Sequence, residues 1–198
     1  MKTKLIALIL VLAVVASACA SGANQPVPGS WDRRVFTSEH MGFRVELLPG
    51  WAAATDREMA ALTGELAEEA GSTLQQRAMQ NVTHDMVAAN PGTGANIQII
   101  YERLGSRAAR QLSTFDYMEL QIDSMRAEGG TNIVMSEDTV RIGAHDWGYL
   151  DSTMRMHGVT IHIRTFVTIY EGFGVAIMVM YTNTSESIEE IMSMFGPL

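Results

Sequence analysis

Apolar positions change their period along this chain, and each change marks an element. Val35 to Thr37, then Phe43, Val45 and Leu47 alternating with Arg44 and Glu46, predict a short strand and a half-buried one that stops at Pro49-Gly50. From Asp56 the spacing turns helical, with Met59, Leu62 and Leu66 on one face until Gly71. Ser72-Thr73-Leu74-Gln75 has the form of a capping box. It predicts a second helix carrying Leu74, Ala78, Val82 and Met86, ended by Asn90-Pro91-Gly92. Ala95 to Tyr101 is β-rich and mostly apolar, which suits an interior strand. Ser113 then opens a helix whose Phe115, Met118, Ile122 and Met125 form one stripe, closed by Gly129-Gly130.

Beyond Gly130 the period shortens to two. Ile133 to Ile142, Trp147 to Met156, Val159 to Tyr170 and Phe173 to Thr182 predict consecutive strands turning at Gly143-Ala144, His157-Gly158 and Glu171-Gly172. Thr184 is the expected cap of a last helix with Ile188, Ile191, Met192 and Phe195 on one face, stopped by Gly196-Pro197. The final strand is apolar on both sides, with Val175, Ile177 and Val179 against Ala176, Met178 and Met180. Such a strand must be covered on both faces. With helices before, between and after the strands, the expected fold is α+β: an antiparallel sheet covered by helices on both faces, in one domain over residues 31–198.

A composition of 47% hydrophobic and 18% charged residues is that of a globular protein. The only lysines are Lys2 and Lys4 and the only cysteine is Cys19. From Ala20 onward the chain therefore has no residue for a phosphate-loop lysine, a Schiff base, a Ser-Lys dyad, a cysteine nucleophile, a cysteine-ligated zinc or a disulfide. Lys2 and Lys4 precede the apolar run Leu5 to Ala16, and Ser17, Ala18 and Cys19 follow, which is the layout of a secretory signal peptide over residues 1–18. A membrane-spanning helix needs roughly 20 apolar residues, and this run has 12, which favours cleavage over retention as an anchor.

Ala16-Ser17-Ala18-Cys19 has two readings that share one cut. It is an Ala-x-Ala site for ordinary signal peptidase, leaving a secreted thiol, or a bacterial lipobox in which Cys19 carries lipid and becomes the N-terminus. It resembles bacterial lipoprotein signals, with Ala16 where leucine is usual. An unpaired thiol is a liability on an exported protein, so a sole cysteine at this position favours lipid attachment at Cys19. Residues 19–30 then read as the lipidated cysteine and a small, polar, proline-containing tether reaching at most about 35 Å. The expected location is the bacterial cell envelope, with the membrane as partner through the anchor. Without Lys2 and Lys4, 12 basic residues face 22 acidic ones, a formal charge of −10 that repels nucleic acid.

Gly42-Phe43-Arg44-Val45-Glu46-Leu47-Leu48-Pro49-Gly50-Trp51 resembles the strand-Pro-x-Trp opening of PsbP-like and DcrB-like proteins, and Ala95 to Ile99 resembles their next strand. The helix from Ser113 to Glu128, the strand ending Arg141-Ile142-Gly143 and the closing hairpins follow that family's order over most of residues 36–182. The resemblance implies an α-β-α sandwich and a non-enzymatic binding or assembly role, often on an exported lipoprotein. It brings no catalytic residue.

The histidines at 40, 84, 145, 157 and 162 have no spacing that would place two imidazoles on one metal, so no metal or cofactor is expected. No Gly-x-Ser-x-Gly is present. A Ser/His/Asp site assembled from distant segments stays open, since such sites are defined by geometry. Met154/Met156, Met178/Met180 and Met192/Met194 invite a Cu(I) reading, because thioethers suit that ion. Core filling is favoured: a two-residue turn at His157-Gly158 sets Met156 opposite Val159 and Met154 opposite Ile161, among β-branched residues. Trp51 and Trp147 could form a ligand platform, but single aromatics beside strand ends more often cover a core edge while the indole N–H finds a partner. The expected function is a membrane-tethered, non-enzymatic binding or accessory module for another envelope protein or a small ligand. An exported hydrolase and a methionine-based copper-handling protein are the alternatives.

Overall fold

The computed structural model describes residues 26–61, 81–105, 111–127, 129–156, 158–183 and 185–198. The predicted signal region, Cys19, the predicted helical stretch over 62–80, the turn residue His157 and the expected cap Thr184 lie outside these residues. The strands are β1 (Ser30–Asp32), β2 (Val35–Ser38), β3 (Phe43–Glu46), β4 (Ala52–Ala53), β5 (Val82–Ala89), β6 (Asn96–Arg103), β7 (Thr131–Met135), β8 (Val140–Ile142), β9 (His145–Met156), β10 (Val159–Tyr170), β11 (Phe173–Tyr181) and β12 (Phe195–Pro197). Helix α1 is described over residues 56–61; α2 spans Thr114–Ala127 and α3 Ile188–Met192.

Two antiparallel sheets result. The small one has the order β1-β2-β3-β12, and the large one β4-β5-β6-β11-β10-β9-β7, with β8 paired to β9. The long hairpins follow from their turns. Tyr170 opposes Phe173 across Glu171 and Gly172, at φ 48° and 89°. Positive φ at both central residues matches the right-handed twist of the strands, and glycine takes it without strain. At the other end Met156 opposes Val159 and Met154 opposes Ile161, the register expected from a two-residue turn.

β11 carries a core on each face, as its two-sided pattern requires. Val175, Ile177 and Val179 pack with Phe36, Phe43 and Val45 of the small sheet and with Ile188 and Ile191 of α3. Ala176, Met178 and Met180 pack with Met118 and Met125 of α2 and with Leu150 and Ile163. The expectation of helices on both faces is therefore wrong. Among the described residues α2 covers one face, while a second sheet and the five-residue α3 cover the other. The short strands that the pattern identified early in the chain do not join the large sheet; they leave it and turn back as its cover.

Other local expectations fail for identifiable reasons. The helix predicted to run through Val82 and Met86 is strand β5 there, with Met86 fully buried opposite Ile99. Spacing of four serves a strand as well as a helix, because residues four apart share a face in both. Ile133 to Ile142 is not one strand but β7 and β8, each paired with a different part of β9. The last helix is capped by Ser187, whose hydroxyl accepts from Glu190 N while the Glu190 carboxylate accepts from Ser187 N. Phe195 lies beyond it in β12, opposite Val45.

α2 begins as its sequence predicts. The Ser113 hydroxyl accepts from Asp116 N at 3.1 Å and the Asp116 carboxylate accepts from Ser113 N at 2.9 Å. Its buried face is turned from the expected stripe: Met118 and Met125 are buried together with Tyr117, Gln121 and Ser124, whereas Phe115 is 37% exposed.

Candidate functional site

Polar side chains converge at two places on the small-sheet face of the large sheet. The first is buried where the β2-β3 turn meets β5 and β6. Ser38, fully buried, lies 3.4 Å from the Tyr101 hydroxyl. The imidazole of His40 packs edge-on against Tyr170 at 5.0 Å, with Nδ1 3.9 Å from a Glu171 carboxylate oxygen. Asp85 reaches the cluster because of a bulge: His84 opposes Ile100 and Met86 opposes Ile99, so Asp85 is the extra residue and its carboxylate is aimed away from the ladder. One of its oxygens accepts from Gly29 N at 2.8 Å. The other oxygen and His40 Nε2 are buried without a hydrogen-bond partner in the structure.

The electrostatics of this cluster follow its burial. Desolvation pushes the Asp85 carboxyl above the ordinary range, against the Gly29 N–H and the His40 ring, which pull it down. Burial likewise raises the Tyr101 phenol to about 12, with the nearby Asp85 adding to the rise and the Ser38 contact opposing it. A serine whose hydroxyl faces such a phenol has no base to take its proton, and full burial denies it a substrate. Ser38, His40 and Asp85 are thus brought near one another without a nucleophile-base pair at Ser38. His84 and His145 are both held below the usual imidazole range, His84 by burial and His145 by burial first and then by Arg141 and His40.

The second place is a groove of about 540 Å³ bounded by β8, by α3 with β12, and by Arg164 and Phe166 of β10. Ile188, Met192 and Phe166 make its apolar surface, and its ionisable side chains are Arg141, Arg164 and Glu189. Concave sites of this size with few polar groups are typical of small-molecule ligands. Arg164 is held from two sides: Nε and Nη2 each donate to Asp151 at 2.7 Å, and the guanidinium lies 4.8 Å from the centre of the Tyr149 ring. The Asp151 hydrogen bonds raise the pKa of Arg164 further, against a desolvation that lowers it. Arg141 makes an exposed pair with Asp146 at 3.0 Å.

Among the described residues the sequence-flagged tryptophans and methionines have definite places. Trp51 is buried and donates its indole N–H to Glu186 at 3.0 Å; Trp147 is fully buried and donates to the Ile142 carbonyl at 3.1 Å. Both cover core, not ligand. Glu186 also accepts from Asn90 and Thr93. Burial alone would raise its pKa, but its own backbone N–H, Thr93, Asn90 and Trp51 together hold it below the usual carboxylate range. Met178 and Met180 are enclosed in the core under α2, and Met154 and Met156 are half-buried. Met192 and Met194 part company, Met192 lining the groove and Met194 buried with its sulfur accepting from Leu48 N at 3.4 Å. Among the described residues no group of three or more His, Cys, Asp and Glu side chains could hold a metal ion, and no helix is long and apolar enough to cross a membrane. Sequence reading missed the groove, since its walls come from segments some fifty residues apart whose facing only the fold creates.

No family model and no curated protein matches the sequence. Among solved structures, the chain is similar to a Bacteroides thetaiotaomicron protein at 11% identity and TM-score 0.42, over 79% of this chain and 45% of that one. It is similar to LpqN of Mycobacterium tuberculosis, described as involved in cell envelope biogenesis, at 11% identity and TM-score 0.39, over 77% and 76% of the two chains. It is also similar to PA94, a protein of unknown function from Pseudomonas aeruginosa, at 12% identity and TM-score 0.35, over 57% and 71%. This chain spans less than half the length of the first of the three.

Proposed function

We propose that this protein is an exported, non-enzymatic binding module, tethered to the membrane of the bacterial cell envelope through a lipid on Cys19, and that its ligand sits in the groove between β8 and α3-β12. The groove carries the reading: its surface is mainly apolar, and Ser, Thr, Cys, His and Lys are all missing from its lining residues. Arg164, the most enclosed of its charges, is already neutralised by Asp151. That arrangement serves retention of a ligand better than bond cleavage, which needs a nucleophile or a paired acid and base. The PsbP-like and DcrB-like resemblance of the sequence implies the same role, and the signal region with its sole cysteine supports the anchor.

Intact mass of the membrane-extracted protein tests the anchor. A diacylglyceryl adduct absent in Cys19→Ser is expected, and a cleaved, unmodified thiol found only in the soluble fraction refutes it. Native mass spectrometry of the same material tests the groove: Met192→Trp, which fills it, should lose any co-purifying or added ligand that the parent protein retains. Turnover of an ester or peptide substrate by the parent protein would overturn the non-enzymatic reading.

A further inference from the structure

β9 and β10 are 12 residues each, roughly 40 Å of extended chain, whereas the strands of the small sheet have three or four residues and span about 10 to 14 Å. The small sheet therefore covers only one end of the face it packs on. Past Phe166 that face continues in two cross-strand rows, Asp151-Arg164-Val179 and Thr153-His162-Tyr181. On the opposite face of the same stretch Leu150, Ile163 and Met178 are buried in the core under α2. Of these rows Val179 is buried in the core and Tyr181 packs against that core, while Asp151, Arg164, Thr153 and His162 are half-buried and polar.

Their side chains are fixed by one another. His162 stacks on Tyr181 with ring centres 5.3 Å apart and planes 22° from parallel, and its Nε2 is 2.8 Å from the Asn183 amide oxygen. Arg164 is clamped to Asp151 and laid on Tyr149. On the other flank Asn132, in a left-handed conformation at φ 52°, donates its amide to the Thr153 hydroxyl at 2.9 Å. Flat rings beside planar, bidentate hydrogen-bonding groups, held rigid before any ligand arrives, make a surface complementary to sugars. A pyranose offers an apolar C–H face to an aromatic ring and adjacent hydroxyls to carboxylate, guanidinium and amide groups.

Resting on the reading of this protein as a binding module, we infer that the half-exposed end of the β9-β10-β11 face, opening from the groove at Arg164, binds a neutral oligosaccharide chain. Charge selects the neutral class. Asp151 matches Arg164, Arg155 in the next row adds one exposed cation, and the chain without Lys2 and Lys4 carries a formal −10, so the net field repels a polyanionic glycan.

The test uses the full-length protein extracted in detergent, titrated calorimetrically with cellohexaose, maltohexaose, mannohexaose and chitohexaose, and with dextran sulfate as the polyanion. At least one neutral hexasaccharide should bind, and Tyr181→Ala and His162→Ala should each weaken it by about tenfold, the contribution of one stacked ring. His162→Ala is the arm that separates binding from folding, since its melting temperature should match that of the parent. Three results overturn the inference: none of the four sugars binds, dextran sulfate binds more tightly than all of them, or both variants bind as the parent does. If the sugars fail while Met192→Trp still loses a groove ligand, only the sugar surface is lost. If both fail, the binding-module reading falls with it.

Discussion

On one face of the large sheet Met178, Met180, Leu150 and Ile163 lie under α2, and on the other Val175, Ile177 and Val179 lie under the small sheet. A 14-residue helix rises about 21 Å, longer than any strand of the small sheet. The α2 face is consequently sealed around Leu150 and Ile163, while the small-sheet face is sealed at one end and polar at the other. The comparison teaches that the length of the cover, and not the hydrophobicity of the covered strands alone, decides where this fold can present chemistry. It also separates two kinds of polar residue. On the small-sheet face Arg164, His162 and Asp151 stay half-exposed beyond the buried Ser38-Asp85 cluster; Glu102, on the α2 face, is 3% exposed.

The most severe way to break the comparison is Met118→Asp. Met118 is fully buried between α2 and the sheet, and an unpaired charge there costs several kcal/mol, out of a total stability of about 5 to 15. Loss of the cooperative melt is expected, with Ile122→Asp less damaging because that residue is half-buried. An unchanged melt for Met118→Asp would show that α2 does not close this face.

Glu102 offers a second, pH-dependent break. The Tyr117 hydroxyl donates to its carboxyl, and Gly174 makes room for that ring: a Cβ there would lie 2.5 Å from Tyr117 Cζ. Burial pushes the Glu102 carboxyl up to about 7, partly offset by the Tyr117 hydrogen bond, while burial and the same carboxylate raise the Tyr117 phenol well above its usual value. The unfolded carboxyl titrates near 4.5. Between those values the folded protein holds the extra proton, so stability is lost as pH rises from about 4.5 to about 7, by about 3 kcal/mol. Thermal melts at pH 5 and pH 8 should show the loss in the parent and little of it in Glu102→Gln. Equal slopes in the two proteins would place Glu102 in contact with water.

Ser113→Ala sharpens the picture at about 1 kcal/mol, because the α2 N-terminus loses the hydroxyl that accepts from Asp116 N. Denaturant titration should move the midpoint without changing the slope. On the other face His162→Ala should cost no more than about 0.5 kcal/mol, because the half-buried ring gives up only one stack and an exposed hydrogen bond. A cost as large as that of Met118→Asp would mean that the polar rows are structural, and the two faces would then be alike.

Much of the large sheet was legible because its signals are local. Two-residue periodicity, Glu171-Gly172 and Gly158 set the β9-β10-β11 register to the residue, and Ser113 and Asp116 marked the α2 start. β5 was misread because Val82 and Met86 satisfy both periods, and the bulge at Asp85 conceals the alternation that would have distinguished them. The buried cluster of Ser38, His40, Asp85 and Tyr101 was invisible for the same reason, since its carboxylate enters through that bulge.

What the sequence determined by itself was a lone cysteine, Cys19, directly after an apolar run, and a β11 that needs cover on both faces. Periodicity states that a face is apolar, yet it says nothing about what lies on it, because a helix and a sheet bury the same residues equally well. Only the tertiary structure decided that Phe36, Phe43 and Val45 would form the second cover, and that strands so short would leave Arg164 and Tyr181 at its edge and His162 half-exposed past it. The physical reason is that hydrophobic burial is non-directional: composition sets how much surface must be hidden, and chain connectivity alone sets which segment hides it and where it stops.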